Sequence, residues 1–306
     1  MDSRLTLFPP NLRLQSQRDH QANYREHTTS VSSTNTVFPA QLQRITGETH
    51  IITETEPAAL SCSTVDESPW KTYRALFTVK IGGSAGEVFY QAHRSSDDTY
   101  GMALLKEVSH GTHEVEILKR YRHQNIIQLM DIFSANDKVF VSLEFVETSL
   151  NSLLACLTLE ENHMAVICRE ILQALSFLHR NGIQHGSLRP ASVFMSTKGE
   201  IKLSNFGSSA MTSDTTLLDM DIDDMACCVA EMISPLQRSP RLSRGSGTGR
   251  SMKMFCNALL NHDRTTVHLL AEEWVGLHLT TKILIPLVYD AKLRACRYFE
   301  ENHGGE

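Results

Sequence analysis

The apolar residues of this chain change their spacing midway, and that change limits the folds available to it. Between Trp70 and about residue 146, apolar and polar residues alternate, as in "FTVKIGGSAGEVFYQ" and "DKVFVSLEFV", which predicts five β-strands. One amphipathic segment, "THEVEILKRYR", predicts a short helix within this region. The sequence therefore predicts an α+β fold that begins with a small antiparallel five-stranded sheet and one helix.

From about residue 147 the spacing is helical instead. In "ENHMAVICREILQALSFLHRNG" the apolar residues recur every three or four positions, and Gly182 is a suitable C-cap. The stretches "TLLDMDIDDMACCVAEMIS", "SMKMFCNALLNHD" and "TTVHLLAEEWV" predict further helices. A sheet followed by helices predicts two lobes, and a cleft between two lobes is a natural ligand site.

Composition divides the chain into four parts. Residues 1–69 are rich in Ser, Thr, Gln, Asn and His without an apolar period, which predicts a disordered tail. We expect a strand-rich lobe over 70–146, a helical lobe over 147–275 and a C-terminal helical extension over 276–306. Within the helical lobe, "PLQRSPRLSRGSGTGR" at 235–250 predicts a flexible linker.

Charge and cysteine pattern argue against several classes of function. The 306 residues carry a net charge of −6, which disfavours the basic surface that nucleic-acid binding requires. The longest apolar run, "ILIPLV", is too short to cross a membrane, and the first residues show no signal pattern. The seven cysteines show neither C-x-x-C nor zinc-finger spacing, so we expect reduced thiols in a cytoplasmic protein, or a nuclear one.

Five short motifs follow one another along the chain. They are the Gly-rich turn "GGSAGEV", Lys106 in "MALLK", the acidic helix "HEVEILKRYRHQNII", the loop "HGSLRPAS" and the tetrapeptide "SNFG". In this order they resemble the eukaryotic protein kinase domain over about residues 72–275. The phrases "REILQALSFLH" and "EIKLSNFG" are most similar to the sterile-twenty-like kinases, the p21-activated group among them. The resemblance implies a protein-kinase-like two-lobe fold.

The intervals within the last two motifs match the family's catalytic loop, H-R-D-x-K-x-x-N, and its metal loop, D-F-G. Ser187 lies two residues after His185, Ser192 lies five after Ser187, and Asn205 lies thirteen after Ser192. The resemblance implies that Ser187 occupies the catalytic-base position, in a loop with His185 and Arg189. It also implies that Ser192 and Asn205 occupy the two metal-ligand positions.

These substitutions predict a degenerate catalytic centre. A kinase needs an Asp to accept the substrate proton, and an Asn and a second Asp to hold Mg²⁺. Ser187 is not a useful base near neutral pH, and losing a general base costs about 10²- to 10⁴-fold in rate. Asn205 carries no charge, and Mg²⁺ sheds water reluctantly for neutral ligands. The sequence therefore predicts a pseudokinase.

The resemblance also marks the positions that bind the nucleotide in a kinase. Leu104 stands where the family has a small Ala, and Phe194 where it has a Leu. Both changes add bulk where the base would lie, and we expect them to fill the pocket and stabilise the lobes without a ligand. The Gly-rich loop is also one residue short between its first two glycines. The assigned positions are Gly82, Gly83, Gly86, Val88, Leu104, Lys106, Glu114, Leu143, Glu144, Val146 and Phe194.

One carboxylate of the predicted helix has two interpretations. Counting back from Asn125 selects Glu114, rather than Glu116, as the partner that kinases give the strand lysine. The link from Lys106 to Glu114 is only eight residues, shorter than in the family, which places Glu114 in the first helical turn. Glu114 is therefore either the partner of Lys106 or a helix-start carboxylate that interacts favourably with the helix dipole.

The segment after the metal loop is short. Only thirteen residues separate Gly207 from Asp221, which matches the Asp of the helix that follows the kinase activation segment. In a kinase this interval holds the activation loop and the peptide-docking segment, and neither is recognisable here. Arg264 matches the arginine that pairs with a glutamate of that segment, so its usual partner is absent.

Three hypotheses about function follow. The first is a catalytically inactive pseudokinase, without a cofactor, that acts as scaffold or allosteric regulator of a protein partner such as an active kinase. The second is a divergent serine/threonine protein kinase that retains ATP through Lys106 and binds Mg²⁺ weakly through Asn205. The third is a truncated kinase relic. We expect neither a nucleic-acid nor a membrane partner.

Overall fold

The computed structural model describes residues 64–81, 87–95, 101–108, 113–238, 248–261 and 265–303. They form a sheet-rich N-terminal lobe and a helical C-terminal lobe, which confirms the predicted fold class. The elements of the first lobe are β1 (Thr64–Val65), β2 (Tyr73–Ile81), β3 (Glu87–Arg94), β4 (Met102–Val108), α1 (Glu114–Arg120), β5 (Leu129–Ala135) and β6 (Lys138–Glu144).

The sheet of the first lobe has the strand order β1-β5-β6-β4-β3-β2. Strands β2 to β6 are the five predicted antiparallel strands. Strand β1 is additional: Thr64 pairs in parallel with Ile132, ahead of the predicted start of the lobe at residue 70. A strand of two residues cannot show an alternation, so only its pairing reveals it. Trp70 follows it and packs edge-on against Tyr90 and Phe140.

The second lobe is built mainly from helices, with two small sheets. Strands β7, β9 and β10 form one small sheet, in the order β10-β9-β7, and β8 pairs with β11. The elements are β7 (Thr148–Ser149), α2 (Leu150–Cys156), α3 (Glu161–Arg180), β8 (Ile183–Gln184), β9 (Val193–Met195), β10 (Ile201–Leu203), β11 (Ala210–Met211), α4 (Thr215–Arg238), α5 (Thr248–Leu259), α6 (Thr266–Leu270) and α7 (Ile285–His303).

The two lobes share a continuous apolar core. One cluster of buried side chains includes Leu104 on β4, Ile117 on α1 and Leu175 on α3. Helix α3 contributes the apolar residues that recur every three or four positions in the sequence, and nearly all of them are fully buried. A second, smaller cluster covers the outer face of the first sheet and includes Phe133 and Phe140. Burial on both faces fixes the register of the sheet.

The predicted linker overlaps two helices. Helix α4 ends at Arg238 and α5 begins at Thr248, so both extend into the interval 235–250. Residues 239–247 and Arg264 lie outside the described part of the chain. In the predicted C-terminal extension, a short 3-10 turn, Thr281–Leu284, leads into α7, which packs against α2.

Cys156, Cys168, Cys227, Cys228 and Cys256 are free thiols. Burial raises the pKa of the Cys168 and Cys228 thiols well above the usual value, and raises the pKa of Cys256 to about 12. Thiols held in the protonated form are poor nucleophiles and poor metal ligands, so these residues act as core side chains. Within the described ranges, no helix is both long and apolar enough to span a membrane.

Candidate functional site

Lys106 and Glu114 form a buried ion pair beneath the first sheet. The Nζ of Lys106 lies 2.8 Å from each carboxylate oxygen of Glu114, and the two residues are 4% and 1% exposed. The short connection between β4 and α1 places Glu114 at the first position of the helix, where its carboxylate reaches the lysine. Glu116 is exposed instead and lies close to His113. Glu114 thus contacts Lys106, and it also lies in the first turn of the helix.

The face of the sheet that carries Lys106 is largely apolar, with Gln91 opposite Leu104 as a second polar residue. Leu104 lies two residues before Lys106 on β4 and pairs with Leu143 on β6. Phe89 on β3 pairs directly with Lys106, and directly opposed residues share a face. All three apolar side chains are buried. The cleft side of the sheet is therefore lined mainly by leucine and phenylalanine around one cation.

Phe89 is a site residue that the sequence analysis misses. Its ring lies edge-on to the ring of Phe194 on β9, with the ring centroids 5.5 Å apart. This contact joins the sheet of the first lobe to a strand of the second. The signal that points to it is the shortened Gly-rich turn, because a loop one residue shorter changes which residue of β3 faces the cleft.

The structure describes only some of the other positions predicted to bind the nucleotide. Gly82, Gly83 and Gly86 lie outside the described residues, and Val88 is described only by its backbone, which is part of β3. Val146, in the connection after β6, is buried in the shared core.

Glu144 is a connection between the lobes. One carboxylate oxygen of Glu144 lies 3.0 Å from the Nζ of Lys202 on β10 and accepts a hydrogen bond of 2.8 Å from the backbone N–H of Gln128. The side chain of this residue thus ties the end of β6 to the second lobe.

The loop from His185 to Ser192 is held from below by helix α4. The carboxylate of Asp221 accepts hydrogen bonds from the backbone N–H of His185, at 2.8 Å, and of Gly186, at 2.9 Å. Asp224 accepts one from the N–H of Leu188, at 3.1 Å. Both carboxylates are buried, so these charge-assisted bonds position the loop firmly.

His185 fixes the same loop from above. Its Nε2 lies 2.9 Å from the carbonyl oxygen of Ser204, to which it donates, and its ring lies edge-on to Phe206. Burial lowers the pKa of His185 below 6.5, and the nearby carboxylate of Asp221 opposes that shift only in part. The imidazole is therefore neutral at physiological pH and acts as a structural hydrogen-bond donor.

The serine side chains of the loop carry no charge. Ser187, which the resemblance assigns to the base position, is half-buried. Ser192 is fully buried, and its hydroxyl donates to the carbonyl oxygen of Arg189 and accepts from the N–H of the same residue, at 2.8 and 2.9 Å. The side chain of Arg189 is exposed to solvent. The Ser192 hydroxyl thus closes a turn of its own loop.

Asn205 begins the short turn that follows β10. Its backbone is left-handed, with φ 70° and ψ 55°, a conformation that Asn tolerates better than most residues. The side chain is 3% exposed, and neither its Oδ1 nor its Nδ2 has a hydrogen-bond partner within the described ranges. The same ranges contain no group of three or more His, Cys, Asp or Glu side chains able to hold a metal ion.

The chain passes quickly from this turn to helix α4. Residues Phe206–Ser208 form a 3-10 turn, β11 pairs with β8, and α4 begins at Thr215. Gly186 faces the turn with φ +75°, and a Cβ there would lie 2.5 Å from the carbonyl oxygen of Ser208. Only glycine permits this close approach.

The 3-10 turn ends at Ser208 and α4 begins at Thr215. Residues 209–214 between them provide little chain for a peptide-docking segment.

A family model agrees with this architecture. The model described as "Protein kinase domain" matches residues 77–263, which is more than half of the chain. The chain therefore belongs to the protein kinase domain family.

Its relatives include members of the STE20 and PAK groups. The chain is 32% identical to serine/threonine-protein kinase PAK 4 of Homo sapiens over 156 residues, which are 49% of the chain and 26% of PAK 4. It is 31% identical to STE20 of Candida glabrata over 163 residues, 51% of the chain and 17% of that relative. It is 30% identical to shk1/pak1 of Schizosaccharomyces pombe over 166 residues, 50% of the chain and 25% of that relative. The chain thus spans about a quarter or less of these relatives.

Proposed function

We propose that this protein kinase domain does not transfer phosphate and acts as a scaffold or allosteric regulator of a protein partner. The observation that carries the proposal is the contrast within its catalytic loop. Asp221 and Asp224 hold the loop backbone in place, whereas Ser187 stands at the base position. A positioned loop without a base supports a function that depends on shape rather than on proton transfer.

The metal-ligand positions do not fit Mg²⁺. The hydroxyl of Ser192 is already engaged with the backbone of Arg189, and it is fully buried. Asn205 offers a neutral oxygen in place of a carboxylate. Mg²⁺ demands near-octahedral oxygen ligands and is usually held by one or two carboxylates together with phosphates. No catalytic step is therefore assigned to a magnesium nucleotide in this proposal.

The partner in this proposal is a protein, and an active kinase of the same family is the first candidate. The support is the integrity of the fold: the lobes share one core, and Glu144 and Lys202 connect them. A rigid domain can present the same surface continuously to a partner. The truncated-relic hypothesis explains the short segment at 209–214 but not this degree of internal order. We place the protein in the cytoplasm, where the free thiols of its core remain reduced.

The divergent-kinase hypothesis has one observation in its favour. Lys106 and Glu114 form the ion pair that active kinases need for nucleotide positioning. On this alternative the lysine binds the phosphates of ATP and Asn205 contributes one weak metal ligand. The two hypotheses differ in whether phosphate is transferred at all.

Phosphate incorporation separates these hypotheses. We would incubate the full chain with radiolabelled ATP, Mg²⁺ or Mn²⁺, and a basic protein substrate, with the double variant Lys106→Met/Glu114→Leu as the control, because apolar groups replace both charges of the buried pair. We expect the same background incorporation from both proteins. Incorporation that is present in the wild type and vanishes in the folded double variant would establish the divergent kinase and overturn the proposal.

A second experiment tests the regulatory role. The purified chain is titrated into an assay of a related active kinase, for which human PAK 4 is a suitable choice, and the initial rate is measured. We expect a saturable change in rate, and no change with a chain unfolded by heat. A rate that stays constant at saturating chain would remove kinases of this group as the partner.

A further inference from the structure

Phe89 occupies the centre of the contact between the two lobes. It is 0% exposed, it lies opposite Lys106 in the sheet, and its ring contacts Phe194 with a centroid distance of 5.5 Å. Edge-to-face pairs at this separation are in direct contact and stabilise a core beyond their area burial. The ring thus connects the inner face of the sheet with the floor formed by β9.

Among the described residues, the contact between Phe89 and Phe194 leaves no space for a flat ligand between these two rings. Leu104 and Leu143 are buried on the same face of the sheet, in the same cluster as Phe89 and Phe194. A planar ligand needs carbon contacts of about 3.5–4.0 Å on each side, so the two walls of its pocket lie about 7–8 Å apart. The Phe89 and Phe194 rings touch each other where such a gap would have to lie.

The cation of the cleft is satisfied by the protein itself. The Nζ of Lys106 is bound by both oxygens of Glu114 and also lies 5.8 Å from the centroid of the Phe89 ring. A desolvated ammonium over an aromatic ring gains cation–π stabilisation. Phe89 thereby makes two contacts. It touches Phe194, at the position where an adenine ring would lie, and it contacts the ammonium of Lys106.

We propose that Phe89 is an internal occupant of the cleft: it excludes adenine nucleotides and holds the two lobes together without a ligand. This inference deepens the proposed function and rests on it, because a domain without phosphotransfer needs no exchangeable nucleotide. It identifies one residue, beyond Leu104 and Phe194, whose size decides whether a nucleotide enters. The consequence is that reducing this side chain creates a nucleotide site that the wild type lacks.

The experiment compares wild type, Phe89→Val and Phe133→Val. Phe133 is a matched control, because it is equally buried and lies in the cluster on the outer face of the same sheet. The probe is ATP at about 1 mM, the upper end of the range of typical enzyme KM values. Binding is measured by isothermal calorimetry, once with EDTA and once with Mg²⁺. We expect no detectable binding by wild type or Phe133→Val at this concentration, and binding by Phe89→Val with a dissociation constant at least about tenfold below the 1 mM probe concentration.

Each result of this experiment supports or overturns the inference. Binding of ATP by wild type, or equal gains in both variants, overturns it, and so does a folded Phe89→Val that binds no ATP. If Phe89→Val does not fold, the two conservative single variants Phe89→Leu and Phe194→Leu replace it. We expect the same gain in ATP affinity from them. Failure here leaves the proposed function standing, because phosphate incorporation by wild type is measured separately. We also expect the gained affinity to be unchanged by Mg²⁺, since the Ser192 hydroxyl remains engaged.

Discussion

The Nζ of Lys106 lies 2.8 Å from both carboxylate oxygens of Glu114, although only eight residues separate them in the chain. The pair is almost completely buried, so its two charges compensate each other in a medium that solvates neither. It ties the start of α1 to the middle of β4. The ion pair therefore belongs to the structure of the first lobe whether or not a nucleotide binds.

Replacing one residue of this ion pair by an apolar residue should destabilise the fold. We expect Lys106→Met to lower the free energy of unfolding by about 3–5 kcal/mol, because it leaves a buried carboxylate without its cation. The double variant Lys106→Met/Glu114→Leu should recover most of that loss, because apolar groups replace both charges. Urea denaturation measures both. Lys138→Met, which removes an exposed pair with Glu107, is the control and should cost less than about 1 kcal/mol. If Lys106→Met and Lys138→Met lowered the free energy of unfolding equally, the Lys106–Glu114 pair could not be the buried ion pair described above.

Asp221 should be more important for stability than its neighbours on α4. We expect Asp221→Asn to cost about 2–4 kcal/mol, because an amide nitrogen would face N–H donors that the carboxylate now satisfies. Hydrogen exchange should show the loss first at the amides of His185 and Gly186. The control is Asp223→Asn on the exposed side of the same helix. Unchanged protection of the two amides would show that the loop is held by other contacts.

Stability should fall as the pH drops below about 6.5, and His185 should contribute to that fall. Burial lowers its pKa, so the native state keeps it neutral while the unfolded chain takes up a proton near pH 6.5. The stabilisation is complete above that pH and decreases by up to about 1.4 kcal/mol per pH unit below it. Urea unfolding between about pH 5.5 and 7.5 should show a shallower slope for His185→Gln than for wild type.

Two other histidines should also make the stability fall as the pH decreases. Burial also lowers the pKa of His123 and His163, so part of the slope remains in the His185→Gln variant. The groups that face His185 are the carboxylates of Asp221 and Asp224 and the guanidinium of Arg189. Identical slopes for wild type and His185→Gln would mean that His185 protonates equally in the native and unfolded states.

Restoring a carboxylate at the metal loop should destabilise the protein rather than activate it. Asn205→Asp introduces a charge at a position that is 3% exposed and whose amide has no hydrogen-bond partner within the described ranges. We expect a cost of about 2–4 kcal/mol at neutral pH, because an unpaired buried carboxylate is poorly solvated. The cost should shrink toward pH 5, since burial raises the pKa of the new Asp and protonation removes its charge.

Thermal unfolding with and without Mg²⁺ completes this test. We expect Mg²⁺ not to restore the stability of Asn205→Asp, and the exposed substitution Asn257→Asp to change stability by less than about 0.5 kcal/mol. A specific rescue of Asn205→Asp by Mg²⁺ would show that the metal site needs only one carboxylate, and it would favour the divergent-kinase hypothesis.

The sequence predicts the catalytic loop better than the cleft above it. The positions of Ser187, Ser192 and Asn205 follow from intervals along the chain, and intervals are preserved when side chains change. The role of Phe89 depends on the register between β3 and β4, and a shift of one residue reverses which side chains face the cleft. The shortened loop between β2 and β3 indicates that the register differs from the family's, but only the observed pairing shows which residue of β3 lies opposite Lys106.

The sequence by itself determined the order of sheet and helices, the lobe that each motif belongs to, and the chemical identity of the groups that the resemblance assigns to the base and metal positions. Only the tertiary structure decided that Glu114 reaches Lys106, that Phe89 meets Phe194 between the lobes, and that the Ser192 hydroxyl is engaged within its own loop. The physical reason is that these are contacts between elements. Their geometry depends on strand register and helix placement, which burial of the shared core fixes and local spacing does not.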